Sequence, residues 1–228
     1  MPLRAVVFDF DGVIADTEPL HLKAAQRVLA GAGMHLDRNA YYERYLGFDD
    51  AGLFRALATD LGLKLDAKAV ATLVADKSRV LESLLNDGSV LFDGIRDCIE
   101  RCAAHVPLAI ASGALGHEID HILRRTGLRD DFQVVVGAGD TPRSKPWPDP
   151  YARAVELLRV AVGQDLKEAD CVAIEDSPWG LQSARAAGLR CVGVAHTYPA
   201  EELRRTDADF VAESLGEIDI ERLRQLCS

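Results

Sequence analysis

Five short runs of apolar, largely β-branched residues recur through the chain, at positions 4–10, 107–111, 133–137, 171–174 and 190–194, each bounded by turn residues. Between them, residues 95–104, 118–125, 150–160 and 178–187 carry apolar side chains at every third or fourth position, the spacing of one helix face. A strand that is apolar on both faces cannot border water, and helices packed on both sides of a parallel sheet are the usual way to cover it. The sequence therefore predicts an α/β fold: a Rossmann-like parallel sheet flanked by helices. Ligands of such sheets sit beyond the carboxyl ends of the strands, so strand ends are where functional residues are expected.

One region breaks the alternation. From Glu18 to about Asn86 every periodic segment reads as helix, with Leu53, Phe54, Leu57 and Leu61, then Val70, Leu73, Val74, Leu81, Leu84 and Leu85, at helical spacing and Gly31, Gly33, Gly47, Gly62 and Gly88 as punctuation. The expected organisation is a core domain of residues 1–16 and 89–228, interrupted after its first strand by an all-helical domain of residues 17–88.

A formal charge of −10 opposes binding to nucleic acid or to an anionic membrane, both of which reward clustered Lys and Arg. An anionic small molecule would have to be captured by local charge. No apolar stretch approaches the roughly 20 residues that span a bilayer, and the first residues do not read as a signal peptide, so the expected location is the cytoplasm. Cysteines at 98, 102, 171, 191 and 227 form no CxxC pair and are odd in number, which reads as buried thiols and no disulfide framework.

Chemistry gathers at the strand ends. Phe8-Asp9-Phe10-Asp11-Gly12 places two carboxylates two residues apart where the first strand ends, and on an extended chain they face the same way. Glu175-Asp176-Ser177-Pro178 follows the fourth strand; Ser177 and Pro178 read as a helix start, which leaves the two acids unexplained. Four carboxylates at one sheet edge need a cation, and oxygen-only ligands favour a hard one such as Mg²⁺. The plain alternative for each is a solvated turn. Ser112-Gly113 ends the second strand with a hydroxyl and an unobstructed N–H beside a helix start, suited to a phosphate oxygen, although such pairs are commonly simple turns. Lys145 sits in a stretch stiffened by three prolines, Lys-Pro-Trp-Pro-Asp-Pro, though a lone loop lysine is commonly just solvated.

These four segments, in order, resemble the haloacid dehalogenase-like hydrolases, and among them the group containing β-phosphoglucomutase and small-metabolite phosphatases, with the insertion resembling that group's helical cap (C1 type). The resemblance implies an α/β core with an inserted all-helical cap domain and a Mg²⁺-dependent phosphatase acting on a small phosphorylated metabolite. It implies Asp9 as the nucleophile that forms an aspartyl-phosphate and Asp11 as acid and base. Asp9, Asp11 through its carbonyl, and Asp176 correspond to metal ligands, with Glu175 in or near that set. Ser112, Gly113 and Lys145 correspond to the phosphate-binding set, and His21 and Lys77 to cap positions facing the substrate.

The sequence departs from the mutase pattern at Leu46-Gly47-Phe48-Asp49-Asp50, where acids stand in place of the arginine expected to hold a second phosphate. An acid there repels a distal phosphate, which favours phosphatase over phosphosugar mutase. Two other readings compete. His117-Glu118-Ile119-Asp120-His121 matches the H-E-x-x-H zinc protease signature on an expected helix, without a third ligand at a recognisable spacing. A non-catalytic sensor of phosphorylated metabolites could use the same fold, but the two intact aspartates of the first motif oppose it. The substrate and the oligomeric state, monomer or weak homodimer, are not legible.

Overall fold

The computed structural model describes residues 2–46, 48–85, 90–163 and 165–227. Gly47, Gly88 and the expected boundary at 88 and 89 lie outside the described residues. The chain divides into two units, Thr17–Ser89 and, on either side of it, Met1–Asp16 with Val90–Ser228.

The described part of the inserted unit is helical throughout: α1 (Glu18–Gly31), α2 (Arg38–Ala40) running into a π-helical turn (Tyr41–Tyr45), α3 (Asp50–Asp60) and α4 (Ala67–Leu85). Helix starts are written into the sequence. Pro19 opens α1. Asp37, Asp49 and Asp66 each turn a carboxylate back onto backbone N–H groups that have no partner inside the first turn of their helix. Leu22, Leu29, Met34, Leu36, Phe54 and Leu57 build the core of the unit. The buried stripe of α4 runs Val70, Leu73, Lys77, Leu81 and Leu84, so a lysine occupies a position that the helical period assigns to an apolar residue.

The other unit holds one parallel sheet of β1 (Ala5–Phe8), β2 (Leu108–Leu115), β3 (Phe132–Ala138), β4 (Cys171–Glu175), β5 (Arg190–Val194) and β6 (Phe210–Ala212), in the order β3-β2-β1-β4-β5-β6. Its helices are α5 (Ile95–Ala103), α6 (Gly116–Thr126), α7 (Asp149–Val162), α8 (Pro178–Ala186), α9 (Ala200–Leu203) and α10 (Ile220–Leu226). The α/β expectation holds, and the five foreseen strands are present. β6 is not among the expected strands, because three residues at a sheet edge, two of them half-buried, carry too little pattern to stand out.

Two strand ends differ from expectation for a local reason. β1 stops at Phe8: the Asp9 N–H still bonds to Ile174 O at 2.9 Å, but the Ile14 and Ala15 N–H groups both fold back onto Phe10 O at 2.9 Å, closing a turn. Asp9 and Asp11 are therefore not successive same-face positions of one strand. β2 runs on to Leu115, so Ser112 and Gly113 lie inside the extended segment rather than at the start of α6.

The order of the sheet places the site. From β1 the chain adds β2 and β3 on one side and β4 to β6 on the other, so the β1/β4 boundary is the topological switch point, the place where ligands of such sheets bind beyond the strand ends.

Candidate active site

Register brings the acids together. Phe8 pairs with Ile110 of β2 and with Ile174 of β4, so Asp9 and Glu175 emerge at the same level from neighbouring strands. Asp9 is 7% exposed, Asp176 4% and Glu175 0%. One carboxylate oxygen from each of the three lies within 4.8 Å of the others.

Among the described residues, a single buried cation answers these charges. The Lys145 ammonium donates to Asp9 Oδ1 at 2.8 Å and to Glu175 Oε1 at 2.5 Å. Asp9 Oδ1 also accepts the Phe10 N–H at 2.7 Å, so two donors fix the plane of that carboxylate. Glu175 is saturated: Oε1 takes a second bond from the Tyr151 hydroxyl at 2.9 Å, and Oε2 accepts from the backbone N–H groups of Asp176 and Ser177 and from the Ser177 hydroxyl. The Ser177 oxygen in turn caps α8 through the Gly180 N–H at 3.1 Å.

One amine cannot neutralise three carboxylates. Burial, then Glu175, pushes the Asp9 carboxyl well above its ordinary range against the pull of Lys145. Burial and Glu175 likewise raise Asp176 to about 7, opposed by a hydrogen bond from Thr197. For Lys145, burial alone would lower the ammonium, but Asp9 and Glu175 outweigh it and hold the group charged.

Two glycines make room for the carboxylates. Gly12 sits at φ +80°, a left-handed conformation that side chains avoid, and a Cβ there would overlap the Asp176 carboxylate. At Gly180 an added Cβ would overlap the Glu175 carboxyl group. The acid cluster thus depends on close backbone approach as well as on charge.

The remaining expected residues fall in three places. Asp11 is partly exposed, bridges to Ala15, and its carboxylate lies outside the three-acid group. Ser112 is 3% exposed with its hydroxyl accepting the Ala114 N–H at 3.1 Å, one strand over from Asp9, while Gly113 is exposed. His21 and Lys77 belong to the helical unit, where the Lys77 ammonium pairs with Asp50 and meets His21 Nδ1 at 3.1 Å. Burial, then Lys77, lowers His21 to about 4, so its ring is neutral at pH 7.

The zinc alternative does not survive. His117 is exposed on α6, and among the described residues the only group of three or more His, Cys, Asp or Glu placed to share an ion is Asp9, Glu175 and Asp176. All five cysteines are free and buried.

Sequence reasoning missed Tyr151, Thr197 and His196. Tyr151 carried no signal beyond its place on the helix after the proline-rich loop. His196 and Thr197 follow β5, so the strand-end rule could have singled them out. No helix among the described residues is long and apolar enough to cross a membrane.

The donor set fits a hard divalent cation. It is all oxygen and buried, and it carries more negative charge than Lys145 can balance, the condition in which Mg²⁺ is bound by one or two carboxylates together with a substrate phosphate.

A family model described as haloacid dehalogenase-like hydrolase matches residues 3–188. The chain is 31% identical over 192 residues to fructose-1-phosphate phosphatase YqaB of Escherichia coli (strain K12), covering 83% of this chain and 95% of that protein. To β-phosphoglucomutase of Bacillus subtilis (strain 168) it is 28% identical over 228 residues, covering 98% and 95%. A crystal structure of CbbY from Rhodobacter sphaeroides in complex with phosphate matches with a TM-score of 0.78 at 28% identity, over 95% of this chain and 96% of that one.

Proposed function

The chain belongs to the haloacid dehalogenase-like hydrolases, and from that premise we propose that it is a Mg²⁺-dependent phosphatase of small phosphorylated sugars or sugar alcohols, working through an aspartyl-phosphate on Asp9. The observation that carries the reading is the buried Asp9–Lys145–Glu175 chain beside Asp176 at the sheet's switch point.

The proposed chemistry gives each group a role. The Asp9 carboxylate, held by Lys145 and the Phe10 N–H, attacks phosphorus while Asp11 gives its proton to the departing sugar oxygen. Water then attacks the phosphorus of the aspartyl-phosphate, Asp11 takes the proton back, and phosphate leaves with the Asp9 carboxylate restored. Ser112, the Gly113 N–H and Lys145 hold the phosphoryl oxygens. Asp9, Asp176 and the Asp11 carbonyl would hold the metal, which when bound neutralises charge between the carboxylates and the phosphoryl group. Glu175, with both oxygens committed to other donors, anchors Lys145 and the start of α8 and is not proposed as a direct ligand.

His21 and Lys77 are proposed as the cap residues that read the sugar on the family resemblance alone. A neutral His21 and a Lys77 paired with Asp50 give their cluster no net charge, which suits a substrate with one phosphate better than a mutase's bisphosphate.

The test combines turnover with metal linkage. Mg²⁺ should support phosphate release from a panel of sugar and hexitol monophosphates, and EDTA should abolish it. Asp9 and Asp176 bind protons more tightly in the folded metal-free protein than in the unfolded chain, so their contribution to stability is greatest below the ordinary carboxylate range and is lost as pH rises, that of Asp176 through about 7. Mg²⁺ binds the deprotonated acids, so it should raise the melting temperature more at pH 8 than at pH 6. Turnover that survives EDTA, or a shift that does not depend on pH, would contradict the proposal.

A further inference from the structure

His196 follows β5 and is half-buried against the turn that carries Asp11. Its Nδ1 lies 2.8 Å from Gly12 O. A carbonyl oxygen can only accept, so Nδ1 must carry the ring proton and donate it. The Gly12 N–H is spent on Ala15 O at 3.0 Å, so both polar groups of the glycine next to Asp11 are tied, one within the turn and one to His196.

The ring itself is fixed. It stacks on Phe92 with centroids 4.1 Å apart and planes 14° from parallel. Phe92 in turn donates its N–H to Ile14 O at 3.1 Å, and Leu91 bridges to Ala15. One imidazole thus joins the end of β5, the catalytic turn and the segment that re-enters the α/β unit. Gly12, at φ +80°, is the residue of that turn with the greatest freedom to reorient. Thr197 next door hydrogen-bonds Asp176, so His196 and Thr197, the second and third residues beyond β5, brace the loop after β1 and the loop after β4 respectively.

We propose that His196 is a positioning residue for Asp11: its Nδ1–H clamps the Gly12 carbonyl and so holds the adjacent aspartate where it can protonate the leaving group. The inference rests on Asp11 being the acid, and its test separates the two. Acid assistance matters for an alkyl phosphate, whose leaving oxygen needs a proton, and much less for p-nitrophenyl phosphate, whose phenolate leaves unaided. His196→Leu keeps an apolar contact for Phe92 and removes the donor; His196→Asn keeps a donor.

His196→Leu should lower kcat/KM for an alkyl sugar phosphate by about 100-fold, the order expected of a misplaced catalytic group, and by only about 3-fold for p-nitrophenyl phosphate, with His196→Asn recovering most of the difference. Equal losses on both substrates, no loss on either, or an Asn variant no better than Leu would overturn the assignment. Should the Leu variant not fold, ¹⁵N shifts of the wild-type imidazole decide: the Nδ1–H tautomer is required, and an Nε2–H tautomer refutes it. A wild type inactive on both substrates would sink the phosphatase reading instead, and the tautomer measurement would still judge the clamp.

Discussion

Asp9→Asn is expected to lower kcat by about 10⁴-fold or more, the scale on which enzymes lose a nucleophile, while raising the melting temperature of the metal-free protein at pH 8. The two signs come from one cause. A carboxylate buried beside Glu175 and Asp176 is held above its ordinary pKa, which means that its charged form is disfavoured where it sits. The amide keeps the shape and removes that charge, and Lys145 retains Glu175 as its partner. Function and stability are opposed at this position, as they commonly are where a site concentrates like charge. Phosphate release by calibrated assay and thermal melts in EDTA check both halves. A variant that loses activity and also melts lower at pH 8 would mean that the Asp9–Lys145 pair outweighs the repulsion.

Lys145→Met is expected to fail in the opposite sense, losing activity and stability together. Its ammonium side chain is 13% exposed and bonds two carboxylates. Removing one partner of a buried ion pair leaves uncompensated charge and costs about 3–5 kcal/mol. The loss should be largest at pH 8. As pH falls, Asp9 and Asp176, already poised above their ordinary range, take up protons and relieve the repulsion, so the gap to wild type narrows at pH 6. Urea unfolding in EDTA at the two pH values measures it. An equal loss at both would place the effect in packing rather than in charge.

The sheet was legible because both-faced burial leaves an unmistakable mark: β1 reads Ala-Val-Val-Phe, and all four residues are buried. Strand ends were less so. Whether Phe10 continues β1 depends on where the N–H groups of Ile14 and Ala15 go, and apolar composition does not encode that. The sequence led to Asp9, Lys145, Glu175 and Asp176 as a set; the resemblance alone gave them separate roles, and it left Glu175 in or near the metal-binding group. That Glu175 spends both oxygens on Lys145, Tyr151 and the α8 start emerges only from three-dimensional bonding. Lys77 reads as a polar cap residue, whereas its burial beside Asp50 and His21 has no sequence signature, since helical period alone would put an apolar residue there. His196 and Thr197 lie in no recognisable motif, though both follow closely on the end of β5.

The central claim is that Asp9 itself carries the phosphoryl group during turnover. It is tested most directly by quenching the enzyme in acid during turnover with Mg²⁺ and substrate, reducing with borohydride, and mapping the product by peptide mass spectrometry. An acyl phosphate on Asp9 reduces to the alcohol, so the account predicts homoserine at position 9 and nowhere else. Phosphate release with an unmodified Asp9, or with the modification at another acid, would contradict it.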